Sequence, residues 1–329
     1  MTVDQRTAFG EPSLDVSRFA ADVRESLNRV PRQLSSRYFY DPLGSALFDA
    51  ICHLPWYRIT RAESRLLAAH RDALHHHLQP LSTIVELGPG NGEKLKVLLE
   101  SVVRDDEPID VHLVDVSSRA LQTAADTLGS LPEIRIVRHV AEYDAGLREL
   151  ASQLEGGGRT LVLFLGSNIG NFDARGAATF LDCIRENLSE GDALLLGTDL
   201  VKPETELRLA YDDPLGVTAA FNRNVLVRIN SELGGNFDVR QFRHEAVWNA
   251  TASRMEMFLG ARSQQRVRIS ALPMEFTMAA GERIWTESSY KYRPDGVKGM
   301  LEAAGFTTTA QWIDERDAFA LTLAEAGDR

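Results

Sequence analysis

Between residues 83 and 198 the chain alternates short apolar, β-rich runs with amphipathic helical stretches, which restricts it to an α/β fold on a parallel sheet. The β-rich runs occupy 83–87, 111–116, 134–140, 160–165 and 193–198, and the helical patterns between them include 92–103, 118–128 and 174–187. Strands buried on both faces read as continuous hydrophobic runs, and the crossovers joining them are right-handed. Near the C-terminus a helical pattern over 296–304 precedes two more strands, 307–313 and 319–324, separated by Asp314-Glu-Arg-Asp317. Five βα units closed by a terminal antiparallel hairpin predict a Rossmann-like, seven-stranded sheet.

Two segments stand outside that sheet. Residues 1–61 carry helical material and the aromatic segment Arg37-Tyr-Phe-Tyr-Asp41. Residues 201–286 read as a helix followed by strands at 245–249, 254–261, 265–272 and 274–278. The expectation is a discontinuous α+β substrate-binding domain (1–61 and 201–286) beside a cofactor-binding domain (62–200 and 287–329).

The bulk properties narrow the partners. With 47 acidic and 36 basic residues the net charge is −11, which repels nucleic acid and supplies no counterion release for binding it. No apolar run has the length of a bilayer span, and residues 1–15 lack a signal-peptide core. Two distant cysteines, Cys52 and Cys183, suit neither a disulfide framework nor zinc. The triplet His75-His76-His77 fans out around a helix rather than converging on a metal. The expectation is a cytoplasmic monomer with no metal, no membrane contact and a small-molecule substrate.

The run Thr83-Ile-Val-Glu-Leu-Gly-Pro-Gly-Asn-Gly-Glu-Lys94 is a strand, a Gly-rich turn and a helix start. Gly88, Gly90 and Gly92 let the backbone approach a ligand where strands end in such sheets. A dinucleotide fingerprint needs glycine at the sixth position of the turn, and Glu93 stands there. Glu86 in the first strand and Asp115 at the end of the second suit a cofactor with ammonium and sulfonium charges and no phosphate. Asp115 can accept both ribose hydroxyls, and Glu86 favours the cation. In Ala141-Glu-Tyr-Asp144, Glu142 can accept from an adenine amino group and Tyr143 can stack or offer its amide; a solvated acidic loop is the plain alternative. The expected cofactor is S-adenosylmethionine, and the element order is that of class I methyltransferases.

The fourth β-rich run ends in Phe164-Leu-Gly-Ser-Asn-Ile-Gly-Asn-Phe172, not in the Asp/Asn-Pro-Pro-Tyr of many DNA and protein methyltransferases. Further blocks follow the same order as in one family: Tyr38-Phe-Tyr-Asp-Pro-Leu-Gly-Ser-Ala-Leu-Phe48, Leu54-Pro-Trp-Tyr-Arg-Ile-Thr-Arg-Ala-Glu63, Leu196-Gly-Thr-Asp-Leu-Val-Lys202 and Ala210-Tyr-Asp-Asp213. Gly216-Val-Thr-Ala-Ala-Phe-Asn-Arg-Asn224, Arg254-Met-Glu-Met257 and Thr286-Glu-Ser-Ser-Tyr-Lys-Tyr292 complete the set. Across nearly its whole length the chain resembles the histidine Nα-methyltransferases of ergothioneine biosynthesis, which make trimethylhistidine (hercynine).

The resemblance implies roles. Asn171 and Tyr211 would hold the substrate's α-amino and carboxylate groups, with Tyr40 beside the amine; Tyr40 and Asn171 are the catalytic candidates. Tyr57 would flank the imidazole, Glu287 and Ser289 would bond its nitrogens, and Met257 would pack against the side chain. Gly88, Lys94, Asp115, Gly166 and the Glu142–Tyr143 pair would meet the cofactor. Taken singly, the tyrosines also read as core aromatics, Met257 as filler and Glu287 as a salt-bridge partner. The chemistry is coherent, because a carboxylate and a hydroxyl satisfy the donor and acceptor of a neutral imidazole and leave an indole badly matched. Three blocks depart from the common family form: Gly-Pro-Gly-Asn-Gly-Glu-Lys for Gly-Ser-Gly-Thr-Ser-Glu-Lys, Ala-Glu-Tyr for Gly-Asp-Phe, and Leu-Pro-Trp-Tyr for Leu-Pro-Glu-Tyr. The last places Trp56 beside Tyr57, so the rival is the same chemistry on another amino acid or an aromatic amine such as tryptophan. A macromolecular methyltransferase and a silent cofactor binder are the remaining alternatives.

Overall fold

The computed structural model describes residues 16–102, 108–131, 134–154 and 158–327. The chain packs as two compact units, each discontinuous in sequence. Among the described residues, one comprises 59–201 and 291–327 and the other 16–58 and 202–290.

The described residues begin with α1 (Val16–Asn28), β1 (Arg32–Gln33) and α2 (Pro42–His53). Asp41 caps α2 by accepting from the Gly44 amide at 2.7 Å. Pro42 takes the first helical position, where an N–H would have no intrahelical partner. Next come α3 (Ile59–Leu78), β2 (Leu81–Leu87), α4 (Glu93–Val102), β3 (Ile109–Asp115) and α5 (Ser118–Leu128). They are followed by β4 (Ile134–Val140), α6 (Tyr143–Leu154), β5 (Arg159–Phe164), α7 (Ala174–Glu186) and β6 (Ala193–Asp199). The excursion into the other unit holds α8 (Glu204–Tyr211), α9 (Val217–Leu233), β7 (Phe242–Asn249), β8 (Arg254–Ala261), β9 (Gln265–Ile269), β10 (Met274–Met278) and β11 (Arg283–Tyr290). The chain returns with α10 (Pro294–Ala303), β12 (Phe306–Asp314) and β13 (Phe319–Ala326).

The first unit holds the expected seven-stranded sheet, in the order β12-β13-β6-β5-β2-β3-β4. Strands β6, β5, β2, β3 and β4 run parallel, and β13 pairs antiparallel with both β6 and β12. Every residue of β6 is buried, as are the last five of β2, which is why these strands appear in the sequence as unbroken apolar runs. β2 has β5 on one side and β3 on the other, so the strand order reverses there. The connections after β2 and β5 leave in opposite directions and open a crevice at the strands' carboxyl ends, where ligands of such sheets bind.

The second unit is built on a four-stranded sheet, β1-β11-β8-β7, with the β9–β10 hairpin beside it. The segment expected to carry one helix carries two. Asp213 separates them, accepting from the amides of Leu215, Val217 and Thr218 at 3.0, 3.2 and 2.8 Å and so starting α9 afresh. α9 buries polar side chains along with apolar ones. Asn222 donates to the Phe258 carbonyl at 3.1 Å, Asn224 to the Asp41 carboxylate at 2.7 Å, and Arg228 to the Tyr38 carbonyl at 3.1 Å. The block from Gly216 to Asn224 is therefore a helix whose buried polar groups tie it to β8 and to the start of α2. β11 is a strand the sequence reading did not anticipate.

Candidate active site

In the first unit the turn after β2 is drawn toward β3 by the Gly88 amide, which donates to the Val114 carbonyl at 2.9 Å. Gly88 has φ +75°, and a Cβ there would lie 2.7 Å from the Tyr143 hydroxyl and 3.1 Å from the Asn168 amide nitrogen. A Cβ on Gly90, at φ +58°, would meet nothing within 4 Å. Both positions need the left-handed region, but only Gly88 also lacks room. Gly88→Ala is therefore expected to lower the melting temperature by more than Gly90→Ala, with about 1–2 kcal/mol of backbone strain common to both. Thermal denaturation of the pair checks this, and equal shifts contradict it.

Two carboxylates stand at the ends of neighbouring strands. Glu86 on β2 is 1% exposed, and neither of its oxygens has a hydrogen-bond partner among the described residues. Burial pushes its pKa up to about 8, opposed by the Lys94 ammonium and reinforced by Glu63. Asp115 closes β3 and is raised to about 6 by burial, against the pull of bonds from the Ser117 and Val116 amides. The Ser117 amide donates to it at 2.7 Å. Both carboxylates sit where an approaching cation would restore the charged form.

Glu63 on α3 is fully buried and ties this region together. It accepts from the Lys94 ammonium at 2.7 Å and from the Gly166 amide at 2.8 and 2.9 Å. Tyr143 packs edge-on against Phe164, with ring centroids 5.5 Å apart, and tilts against Phe180 at 6.0 Å. Burial and the nearby Asp115 and Glu86 raise its hydroxyl pKa well above the ordinary phenol value. Its hydroxyl lies beside the backbone of Gly88. Glu142 stands at the start of α6, accepting from the Gly146 amide through its own carbonyl at 2.9 Å. Asn171 closes the short turn Asn168–Asn171 after β5 and is exposed.

In the second unit a β-bulge decides which side chains share a face. Trp285 pairs with Phe258, but beyond the bulge Glu287 pairs with Met257 and Ser289 with Met255. Cross-strand partners share a face, and successive residues of β8 point to opposite faces. The extra residue, Thr286, therefore moves Glu287 and Ser289 to the side of buried Met255 and Met257. The Thr286 hydroxyl donates to the Met257 carbonyl at 3.0 Å, and the Trp285 indole N–H to the Glu287 carbonyl at 2.9 Å, which holds the bulge in place. Against this face the Tyr211 hydroxyl, from the end of α8, donates to the Ser289 hydroxyl at 2.8 Å. Tyr40 and Tyr57 belong to an aromatic cluster: each meets Phe48 edge-on, at 5.5 and 6.3 Å, and Phe221 lies 5.7 Å from Tyr40.

The family model described as histidine-specific methyltransferase, SAM-dependent, matches residues 19–326. The chain belongs to that family. This methyltransferase is 43% identical to the histidine N-alpha-methyltransferase of Mycolicibacterium smegmatis, over 92% of this chain and 93% of that one. It is 44% identical to the enzyme of the same name from Mycobacterium tuberculosis, with the same coverage. It is 28% identical to ergothioneine biosynthesis protein 1 of Schizosaccharomyces pombe, matching 91% of this chain but 39% of that longer protein.

The methyltransferase draws its expected residues from separate stretches of chain. Glu86, Gly88, Gly90, Lys94, Asp115, Glu142, Tyr143 and Gly166 all lie in the first unit, on β2 and β3, in the turns after β2, β4 and β5 or in the first turns of α4 and α6, and Asn171 lies there too. Tyr40, Tyr57, Tyr211, Met257, Glu287 and Ser289 lie in the second. The first set fits S-adenosylmethionine: a buried carboxylate with no protein partner, a second carboxylate on the next strand, and a turn open at Gly90. Two residues went unnoticed in the sequence, Glu63 and Asn168. The signal for Glu63 is a lone carboxylate on the face of α3 that buries Ala62, Leu66 and Leu67. Asn168 gives no signal until the backbone brings its amide beside Gly88.

Proposed function

We propose that this methyltransferase transfers three methyl groups in succession to the α-nitrogen of free L-histidine, giving Nα,Nα,Nα-trimethylhistidine (hercynine), the first step of ergothioneine biosynthesis. The observation that carries the reading is the β11 bulge, which puts a carboxylate and a hydroxyl, Glu287 and Ser289, on one face beside Met257. That pair matches the acceptor and donor needs of a neutral imidazole. The near-full-length identity to two enzymes named for this reaction supports it.

Glu287 accepts the imidazole N–H and Ser289 donates to the other ring nitrogen, while Met257 and Tyr57 pack the ring. On substrate binding the Tyr211 hydroxyl turns its proton from Ser289 to the carboxylate, and Asn171 holds the amine, with Tyr40 beside it. Glu86, Gly88, Gly90, Lys94, Asp115, Glu142, Tyr143 and Gly166 hold S-adenosylmethionine, which when bound supplies a methyl group activated on a sulfonium. Positioning provides most of the acceleration, since the electrophile arrives ready-made. The attacking amine must be neutral, so its proton leaves through a tyrosine hydroxyl or a water that relays it to solvent, and Asn171 must rearrange its bonds as amine donors vanish. We place the enzyme in the cytoplasm as a monomer acting on free substrate, not nucleic acid, in keeping with its net charge of −11.

Incubation with S-adenosylmethionine and histidine should give products heavier by one, two and three methyl groups by mass spectrometry. No methylated histidine at any pH would sink the assignment.

A further inference from the structure

We propose that His244, held by Asn222 as the neutral tautomer protonated on Nε2, is a positioning residue that fixes Tyr211 for substrate binding. The inference rests on the role given to Tyr211 above. Asn222 is fully buried on α9, and its amide nitrogen donates to the Phe258 carbonyl at 3.1 Å and meets His244 Nδ1 at 2.9 Å. A carbonyl only accepts, so the contact with Phe258 fixes which end of the Asn222 amide faces this way. His244 Nδ1 must then accept, which leaves the proton on Nε2. Nε2 lies 2.7 Å from the carbonyl oxygen of Tyr211, the last residue of α8. The last carbonyls of a helix have no partner within it, and the imidazole supplies one. Tyr211 is thereby held at both ends, at its carbonyl by His244 and at its hydroxyl by Ser289 at 2.8 Å.

The surroundings favour the neutral ring. Burial lowers the His244 pKa, aided by Arg223 and opposed by the bond to Tyr211 and by Asp212 and Asp213. The Asp212 carboxylate stands 4.0 Å from Nε2 but is 58% exposed, so water screens much of its pull. A protonated ring would turn an Nδ1–H against the Asn222 N–H. Rotating the amide to accept it would take the donor away from Phe258. A histidine here is therefore more than a space-filler, because only a side chain with an acceptor toward Asn222 and a donor toward Tyr211 fits both neighbours.

Glutamine can reproduce that order of acceptor and donor, and leucine cannot. His244→Leu is expected to raise KM for histidine by about tenfold, with kcat within about twofold and S-adenosylmethionine affinity by calorimetry unchanged. His244→Gln should recover most of the loss, to within about threefold of the native KM. Because glutamine does not titrate, the ratio of native to H244Q KM should climb as pH falls below the ordinary imidazole range; ionisation of the substrate is common to both proteins and cancels. An H244L enzyme with native KM, an H244Q enzyme as impaired as H244L, or a ratio that stays flat with pH each overturns the proposal. If H244L does not fold, the pH ratio between the native enzyme and H244Q decides alone. Native enzyme that methylates histidine while any of these fails removes the His244 role only; native enzyme that leaves histidine unmethylated removes the proposed function itself.

Discussion

Replacing Glu287 with alanine is expected to cut kcat/KM for histidine by roughly a hundredfold to ten-thousandfold while leaving the melting temperature within a few degrees of native. The deleted group is a charged acceptor, and a hydrogen bond to a charged group contributes roughly 1.5–3 kcal/mol. The imidazole N–H would in addition be left buried with no partner, which adds a penalty of the same order. The fold should tolerate the change, since backbone pairing to β8 holds β11 and the Thr286 and Trp285 side chains brace the bulge. The loss should also be selective. An indole has one ring N–H and no second nitrogen, so tryptophan never satisfies both Glu287 and Ser289 in the native site. Removing Glu287 takes more from histidine than from tryptophan, and the ratio of their kcat/KM values should fall toward unity. Competition between the two amino acids under limiting enzyme measures that ratio, and a ratio equal to that of the native enzyme would remove Glu287 from its assigned place.

The residues to which this selectivity is assigned are the ones whose placement the sequence hid best. The central parallel strands were legible because they are buried on both faces, and even at the half-buried edge strand Ile134–Val140 agrees with the structure to the residue. The same holds for Arg254–Ala261 and Met274–Met278, where alternation is intact. β11 fails as a pattern because Thr286 is an inserted residue: alternation before it and after it belongs to opposite faces, so no single period runs through Arg283–Tyr290. The family resemblance named Glu287 and Ser289 without showing why they point the same way. Where the sequence showed one helix after residue 201, the second, α9, was hidden for another reason. Its polar positions look like solvent-facing ones, yet Asn222, Asn224 and Arg228 are buried and bonded to backbone or carboxylate. Hydrophobic periodicity does not register a buried polar face, and the His244 contact to Tyr211 joins residues 33 positions apart.

Glu86 offers the opposite case, a residue legible in the sequence whose energetic consequence only the structure reveals. Its pKa stands near 8 in the folded protein, against an ordinary carboxyl value of 4.5. Between those values the folded chain binds a proton that the unfolded chain releases, so stability falls as pH rises through that window. Well above pH 8 the folded protein carries a buried carboxylate with no hydrogen-bond partner, a burden on the order of a few kcal/mol. Glu86→Gln removes the titration. The cofactor-free variant is expected to melt several degrees higher than the native protein at alkaline pH, with the gap closing as pH falls toward the carboxyl range. The same substitution should weaken S-adenosylmethionine binding at neutral pH by roughly tenfold or more, because a cationic ligand meets a carboxylate in the native site and a neutral amide in the variant. Cofactor binding to the native enzyme should also release a proton as Glu86 ionises beside the incoming charge. Calorimetry in buffers of different ionisation enthalpy detects that proton, and E86Q should release less of it. Identical pH–stability slopes for the two proteins would mean that Glu86 does not carry this titration. Lys94 relieves only part of the burden, because its ammonium is bonded at 2.7 Å to Glu63, which also holds the Gly166 amide. The site thus keeps one buried carboxylate paired and the next one waiting for a cation, so the group that destabilises the free enzyme is the group that favours the charged cofactor.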